Sequence, residues 1–200
     1  MGGGWKIPIY IYRYTKLKSC KGKIVFPTDK HRGVIRIGEH CLNFLDRSSN
    51  PNIWNVEDGT IIFKGSCFLN QGTKICVNDG AILEFGDHFT CTGNSSFICN
   101  KGIKIGCNCL FSWDILLLDS DHHEILDSNE NVINDPAMIT IGNHVWLGCR
   151  STVLKGVQIA DNNIVACGSI LSKSNTIQNV ILGGIGNNQT IIRRNINFRV

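Results

Sequence analysis

The sequence predicts an all-β chain wound into a parallel β-helix, and three observations carry that reading. From Ile141 to Leu171 an aliphatic residue stands at every sixth position without a miss: Ile141, Leu147, Val153, Ile159, Val165 and Leu171. Small or medium residues interleave with them, Val145, Cys149 and Ser151 first, then Val157, Asn163 and Ser169. The period is neither the 3.6 of an α-helix nor the 2 of a simple strand. It describes a coil of three short flat faces, each sending one side chain to the axis and ending in a tight corner. Periodic self-similarity of this kind outranks local propensity.

Along the chain, the stretch to about residue 36 reads as an irregular N-terminal cap. Its alternation of Ile7, Ile9 and Ile11 suggests one extended strand over the open end of the coil. Hexads begin at Ile37-Gly38, followed by a surface excursion rich in Ser, Asn and Pro from Ser48 to Asn55. They resume more roughly through Phe63, Leu69, Ile75 and Ala81, slip, and continue through Phe85, Cys91, Phe97 and Ile103. A second slip resets them at Ile105, Phe111 and Leu117. The slips fall near Gly80 and Gly102, as insertions at corners would. Residues 118–138, polar and acidic, interrupt the coil; a loop of that length inside a compact domain is kept when it is used. Regular coils restart at Ile139 and end after Lys173, and residues 174–200 read as a C-terminal cap. The whole is one domain.

Composition narrows the classes. A net charge of +4 suits a phosphorylated ligand and falls well short of a nucleic-acid-binding signature. Lys16, Lys18, Lys21 and Lys23 read as a solvated face. The ten cysteines include no C-x-x-C pair, and Cys67, Cys91, Cys149 and Cys167 stand where the hexad wants a small residue. With no secretory signal, they read as reduced fillers in a cytoplasmic protein. No apolar run approaches the ~18 residues of a membrane span, so no membrane insertion is expected.

The string ITIGNHVWLGCRSTVLKGVQIADNNIVACGSILSK, residues 139–173, resembles the left-handed β-helix hexapeptide-repeat acyltransferases. The similarity is strongest to sugar O-acetyltransferases of the galactoside/maltose type and of polysaccharide biosynthesis. It extends from about Ile37 to Ile192 and is weak in its first third. The resemblance implies a left-handed coil, a homotrimer, and acyl-CoA bound in clefts between subunits. Handedness rests on the family alone, since hexad spacing cannot give it and right-handed crossovers are the rule elsewhere.

The family carries a catalytic histidine on a protruding loop. Asp119-Ser120-Asp121-His122-His123-Glu124-Ile125 is similar to its D-x-D-x-H-x-I variant, which assigns His123 as the base. Counting without gaps from Ile105-Gly106 assigns His122 instead. A sugar hydroxyl must lose its proton as it attacks a thioester, and an imidazole titrates in the range where it can take one. A carboxylate such as Asp121 or Glu124 would orient it. Asn94, one coil earlier, is a candidate for a sugar hydroxyl, or simply a corner asparagine.

For the donor, Trp146 matches the V-W-x-G position that borders the CoA arm, or else packs against a neighbouring subunit. Gly148, Cys149, Cys167 and Gly168 match the small positions along the pantetheine. Lys173 matches a lysine near the phosphates, with Arg193 and Arg194 as helpers. The family's closing G-x-P-A with a basic residue is replaced by Gly184-Ile185-Gly186-Asn187-Asn188.

The expectation is an acetyl-CoA-dependent O-acetyltransferase acting on a sugar or cell-surface glycan precursor, with no metal. An amino-sugar N-acyltransferase and a non-catalytic scaffold or glycan-binding subunit remain open. A zinc enzyme of the γ-carbonic anhydrase type is disfavoured because His88, His122, His123 and His144 lack an H-x4-H spacing.

Overall fold

The computed structural model describes residues 8–28, 33–78 and 80–199; Ile7 and the glycine-rich start lie outside them. Strands run in a fixed rotation through three faces. The first holds nine strands, the second seven and the third six. Each strand pairs in parallel with the strand one turn above and below, until the last pair on the first face, which is antiparallel. Helical structure among the described residues is one 3-10 turn at Gly186–Asn188.

The hexad residues are the core. Ile141, Leu147, Val153, Ile159, Val165 and Leu171 are all buried, stacked rung on rung. In the earlier turns the axis is filled by Phe63, Phe85, Phe89, Phe97 and Phe111, in ring contact at 4.9–6.2 Å between centroids. The slips have a geometric source. Cys91 lies 22 residues beyond its register partner Leu69, and Phe111 lies 20 beyond Cys91. By Leu147 and Val165 the interval is 18, three plain hexads. The extra residues sit at corners.

Corners are marked by a column of left-handed residues. Between the first and second faces these are Gly72, Asn94, Asp114, Arg150 and Gly168; between the third and first they are His88, Asn108, His144, Asn162 and Asn179. Short polar side chains and glycine tolerate this conformation best. His88 and His144 are thus accounted for by their backbone positions.

Three expected boundaries need correction. Within the cap expected up to residue 36, the described strands form a rung of the coil. Ile9–Ile11, Thr15–Cys20 and Lys23–Val25 pair in parallel with Ile35–Ile37, Asn52–Val56 and Thr60–Phe63. As an end rung with core on one side only, it leaves its inward residues Ile9, Ile24 and Phe26 half-buried. Lys16, Leu17, Lys18, Lys21 and Lys23 are exposed there and a bulge follows Leu17, so the hexad signal vanishes. At the other end, Val180–Gly183 continues the first face before Thr190–Arg194 folds back upon it. The surface excursion covers residues 38–51, and Asn52–Val56, assigned in part to it, is a strand with Trp54 buried.

Phe97 touches three rings at the centre of the stack. Phe97→Ala should destabilise the chain by about 3–5 kcal/mol, the usual cost of a buried phenylalanine. Denaturant unfolding measures it, and a loss below ~1 kcal/mol would mean that the stack repacks.

Candidate active site

The long loop leaves the second face after Leu116–Leu118 and returns at Ile139–Ile141. Its root is Asp119, fully buried. The Asp119 carboxylate accepts the backbone N–H groups of Asn100, Lys101 and Gly102 at 2.7, 2.9 and 2.7 Å, capping the corner of the turn below. Its carbonyl accepts Ala137 N–H at 3.0 Å, and the Ala137 carbonyl accepts Gly156 N–H at 3.0 Å. Both ends of the loop are therefore stitched to the coil at one place.

Beyond this root the chain folds on itself. Asp127 caps a turn by accepting N–H from Asn129 and Asn131, and Ile133 N–H bonds the Ile125 carbonyl at 2.9 Å. Asn134 then clasps the histidine segment. Its amide donates to Asp121 at 2.9 Å and to the His123 carbonyl at 2.7 Å, and its side-chain oxygen accepts Ile125 N–H at 2.7 Å. Lys155, from the coil, reaches Asp121 at 2.6 Å and the Asn134 carbonyl at 2.7 Å. Hydrogen bonds from Lys155, and then Asn134, hold the Asp121 carboxyl below its ordinary range.

His122 and His123 face a cleft of about 420 Å³, lined also by Ser120, Glu124, Asn78 and Asn100. His122 is left-handed, at φ 61°, and its N–H bonds Ser120 Oγ at 3.0 Å. Both rings are exposed. The orienting role expected of Asp121 is not what the structure assigns. Its carboxylate is taken by Lys155 and Asn134, and no carboxylate among the described residues hydrogen-bonds either imidazole. Asp121 instead fixes the loop. Lys155 and Asn134 went unassigned from sequence, because their partners lie 34 and 13 residues away across the loop.

Most of the residues matched to the donor gather elsewhere. Trp146, Gly148, Cys149 and Cys167 line a groove of about 300 Å³ on the first face, with Ser112, Trp113, Ile164 and Ala166. Trp146 donates from its indole to Ser112 Oγ at 3.1 Å, and Phe198 lies 5.9 Å from its ring. Gly148 has no alternative, since a Cβ there would meet Cys167 N and Val165 O at 2.7 Å. Gly168 makes the corner at φ 72°. Cys149 and Cys167 hold their sulfurs 3.2 Å apart, and that contact, with burial, raises the Cys149 thiol pKa.

Lys173 is separated from this group. It stands on the second corner, one rung beyond Lys155, with its amine 3.4 Å from the Asn187 carbonyl of the 3-10 turn. Asn94 is likewise apart from the histidines. It sits on the first corner, bonded to Asp114 and to Lys74 at 2.5 and 3.1 Å. Arg193 and Arg194 are exposed on the returning edge strand. Within one chain, the width of the second face divides the histidine cleft from the groove beside Trp146; at about 3.3 Å per residue its short strands span roughly 10 Å.

Among the described residues no three His, Cys, Asp or Glu side chains are grouped to hold a metal, and no helix is long and apolar enough to cross a membrane. All ten cysteines are free.

Comparison with known proteins places these features in context. Residues 138–173 match the bacterial transferase hexapeptide (six repeats). The galactoside O-acetyltransferase of Escherichia coli K12 is 32% identical over 108 residues, covering 53% of this chain and 52% of its own length. A polysialic acid O-acetyltransferase of Neisseria meningitidis is 36% identical over 124 residues, covering 61% of this chain and 55% of its own. The chain thus spans about half the length of these curated relatives. Among solved structures, the polysialic-acid-specific acetyltransferase NeuO aligns with a TM-score of 0.59 at 21% identity, over 96% of this chain and 82% of that one. A hexapeptide-repeat acetyltransferase from Vibrio cholerae gives 0.55 at 19%, over 68% and 73%. The fold is the left-handed parallel β-helix of these proteins, and the resemblance read from residues 139–173 coincides with the matched repeat.

The Lys155–Asp121 clasp predicts a pH response of the loop. A carboxyl whose folded pKa is lowered stabilises fully above its ordinary value near 3.8, and loses that contribution as pH falls through the lowered one. Lys155→Met should speed amide exchange in residues 121–134 roughly two- to five-fold near neutral pH, the worth of a partly exposed pair. Strands of the coil should not change. The variant's loop should also lose most of the wild-type acid response; an unaltered response would show that Asp121 does not hold the loop.

Proposed function

We propose, on the premise that this coil is of the hexapeptide-repeat acyltransferase kind, that the protein transfers an acyl group from acyl-CoA to a hydroxyl of a sugar or glycan precursor. The observation that carries the proposal is the clasped His122–His123 segment, held at a cleft by Asp119 below and by Lys155 and Asn134 beside it. The relatives named above are sugar and polysialic acid O-acetyltransferases, which supports a carbohydrate acceptor.

The groove residues suit a long flexible donor. Trp146 offers a flat wall and Gly148 a floor without a side chain; Lys173 can meet phosphate on the second corner. The donor supplies an activated thioester. His123 accepts the acceptor's hydroxyl proton as the oxygen attacks, and returns it to the leaving sulfur. A backbone N–H near a corner stabilises the oxyanion.

The reading requires a homotrimer. In one chain the histidines and the groove beside Trp146 lie on different corners, and a site that uses both is completed by a neighbouring subunit. The loop hairpin also exposes Ile125, Leu126, Val132 and Ile133, an apolar tip that a neighbouring subunit would cover. Ten free thiols suit a reducing, cytoplasmic setting.

With acetyl-CoA and a panel of sugars, His123→Ala should lower kcat by about 10²–10⁴ and change CoA affinity little, because a general base acts in the transition state. His122→Ala should do less. Reversed effects would move the base to His122, and two silent variants would remove the loop from the mechanism.

Light scattering on the eluting protein should report three copies of the 22.2 kDa chain. A monomer at micromolar concentration would break the two-subunit site.

A further inference from the structure

Two thiols share one corner of the coil. Leu147 and Val165 are register partners, so Cys149 and Cys167 stand on adjacent rungs, and Gly168 N–H donates to the Cys149 carbonyl at 2.9 Å. Neighbouring strands lie about 4.8 Å apart, within the ~4.4–6.8 Å between Cα atoms that a disulfide bridges. The sulfurs are 3.2 Å apart, and a bond of ~2.05 Å asks them to close by only about 1 Å. No other two sulfurs among the described residues hydrogen-bond to each other. Cys67, Cys91, Cys99 and Cys109 are buried, whereas Cys167 is exposed in the groove and Cys149 partly so.

We propose that Cys149 and Cys167 form a self-clearing dithiol, a site of reversible modification by low-molecular-weight disulfides. The Cys167 thiolate, being the more exposed, attacks one sulfur of the disulfide; a Cys167–sulfur bond forms and one small thiolate leaves. The Cys149 thiolate then attacks Cys167, closing the internal disulfide and expelling the second small thiolate. Two protein thiols are oxidised, the small disulfide is reduced to two thiols, and the protein's two protons end on them. The groove would otherwise keep an adduct on its floor beside Trp146 and Trp113. Interference of that adduct with the donor rests on the function proposed above; the thiol chemistry does not.

The test treats wild type, Cys149→Ser and Cys167→Ser with oxidised glutathione, followed by alkylation and peptide mass mapping. Exposed Cys20 is an internal control that should keep its adduct. Wild type should show a Cys149–Cys167 bond and no glutathione at either residue. Cys149→Ser should retain glutathione on Cys167, and Cys167→Ser should show neither product at this corner. Wild type that keeps glutathione on Cys167, or leaves both thiols free while Cys20 reacts, overturns the proposal. Glutathionylated Cys149→Ser should bind acetyl-CoA at least about ten-fold more weakly than the same variant after reduction, a loss of about 1.4 kcal/mol. Equal affinity overturns the placement of the pair in the donor's path. Failure of the reduced protein to bind acetyl-CoA would count against the acyl-CoA reading alone.

Discussion

Every rung of this coil must set an apolar side chain over the one beneath it, because each short strand has only its upper and lower neighbours for hydrogen bonds and core. A slip of one residue on any face would turn its inward side chains outward. The faces are consequently uniform, and chemical variety is pushed to corners and outer surfaces. That is where the histidines, the paired thiols, Lys155 and Lys173 all occur.

Asp119 shows how such a coil accepts an interruption. A loop of this length opens a gap in the corner ladder and leaves backbone donors unpaired. Asp119 fills the gap by accepting three N–H groups of the turn below, so the coil continues as if the loop were absent. Leaving the buried Gly102 donor unmet would cost about 1–3 kcal/mol. The same residue fixes where the loop emerges, and so where His122 and His123 stand.

The coil was legible because its signal is periodic and needs no partner to be read: each hexad residue from Ile141 to Leu171 is buried as its spacing implies. The end rung was not legible, since its inward positions are half covered and its lysines dilute the pattern. At the site, the segment carrying the histidines was legible through its motif. Its wiring was not, because Asp121 meets Lys155 only once the chain has wound back past the loop. Trp146, Gly148, Cys149 and Cys167, grouped by motif in the sequence, line one groove on two adjacent rungs. Lys173, matched to the same donor, stands apart from them, and Asn94 stands apart from the histidines, because neighbours at the hexad spacing lie on different faces in space.

The unequal length of the turns, 22 residues from Leu69 to Cys91, 20 from Cys91 to Phe111 and 18 from Leu147 to Val165, bears on how such a chain changes over generations. Length has been absorbed where the backbone bends, while strands kept their phase. Insertions or deletions at bends alter the outline of the prism without disturbing what lies inside it. A lineage built on this coil can therefore lengthen or trim one edge, and with it the rim of a binding surface, while inheriting the same interior unchanged.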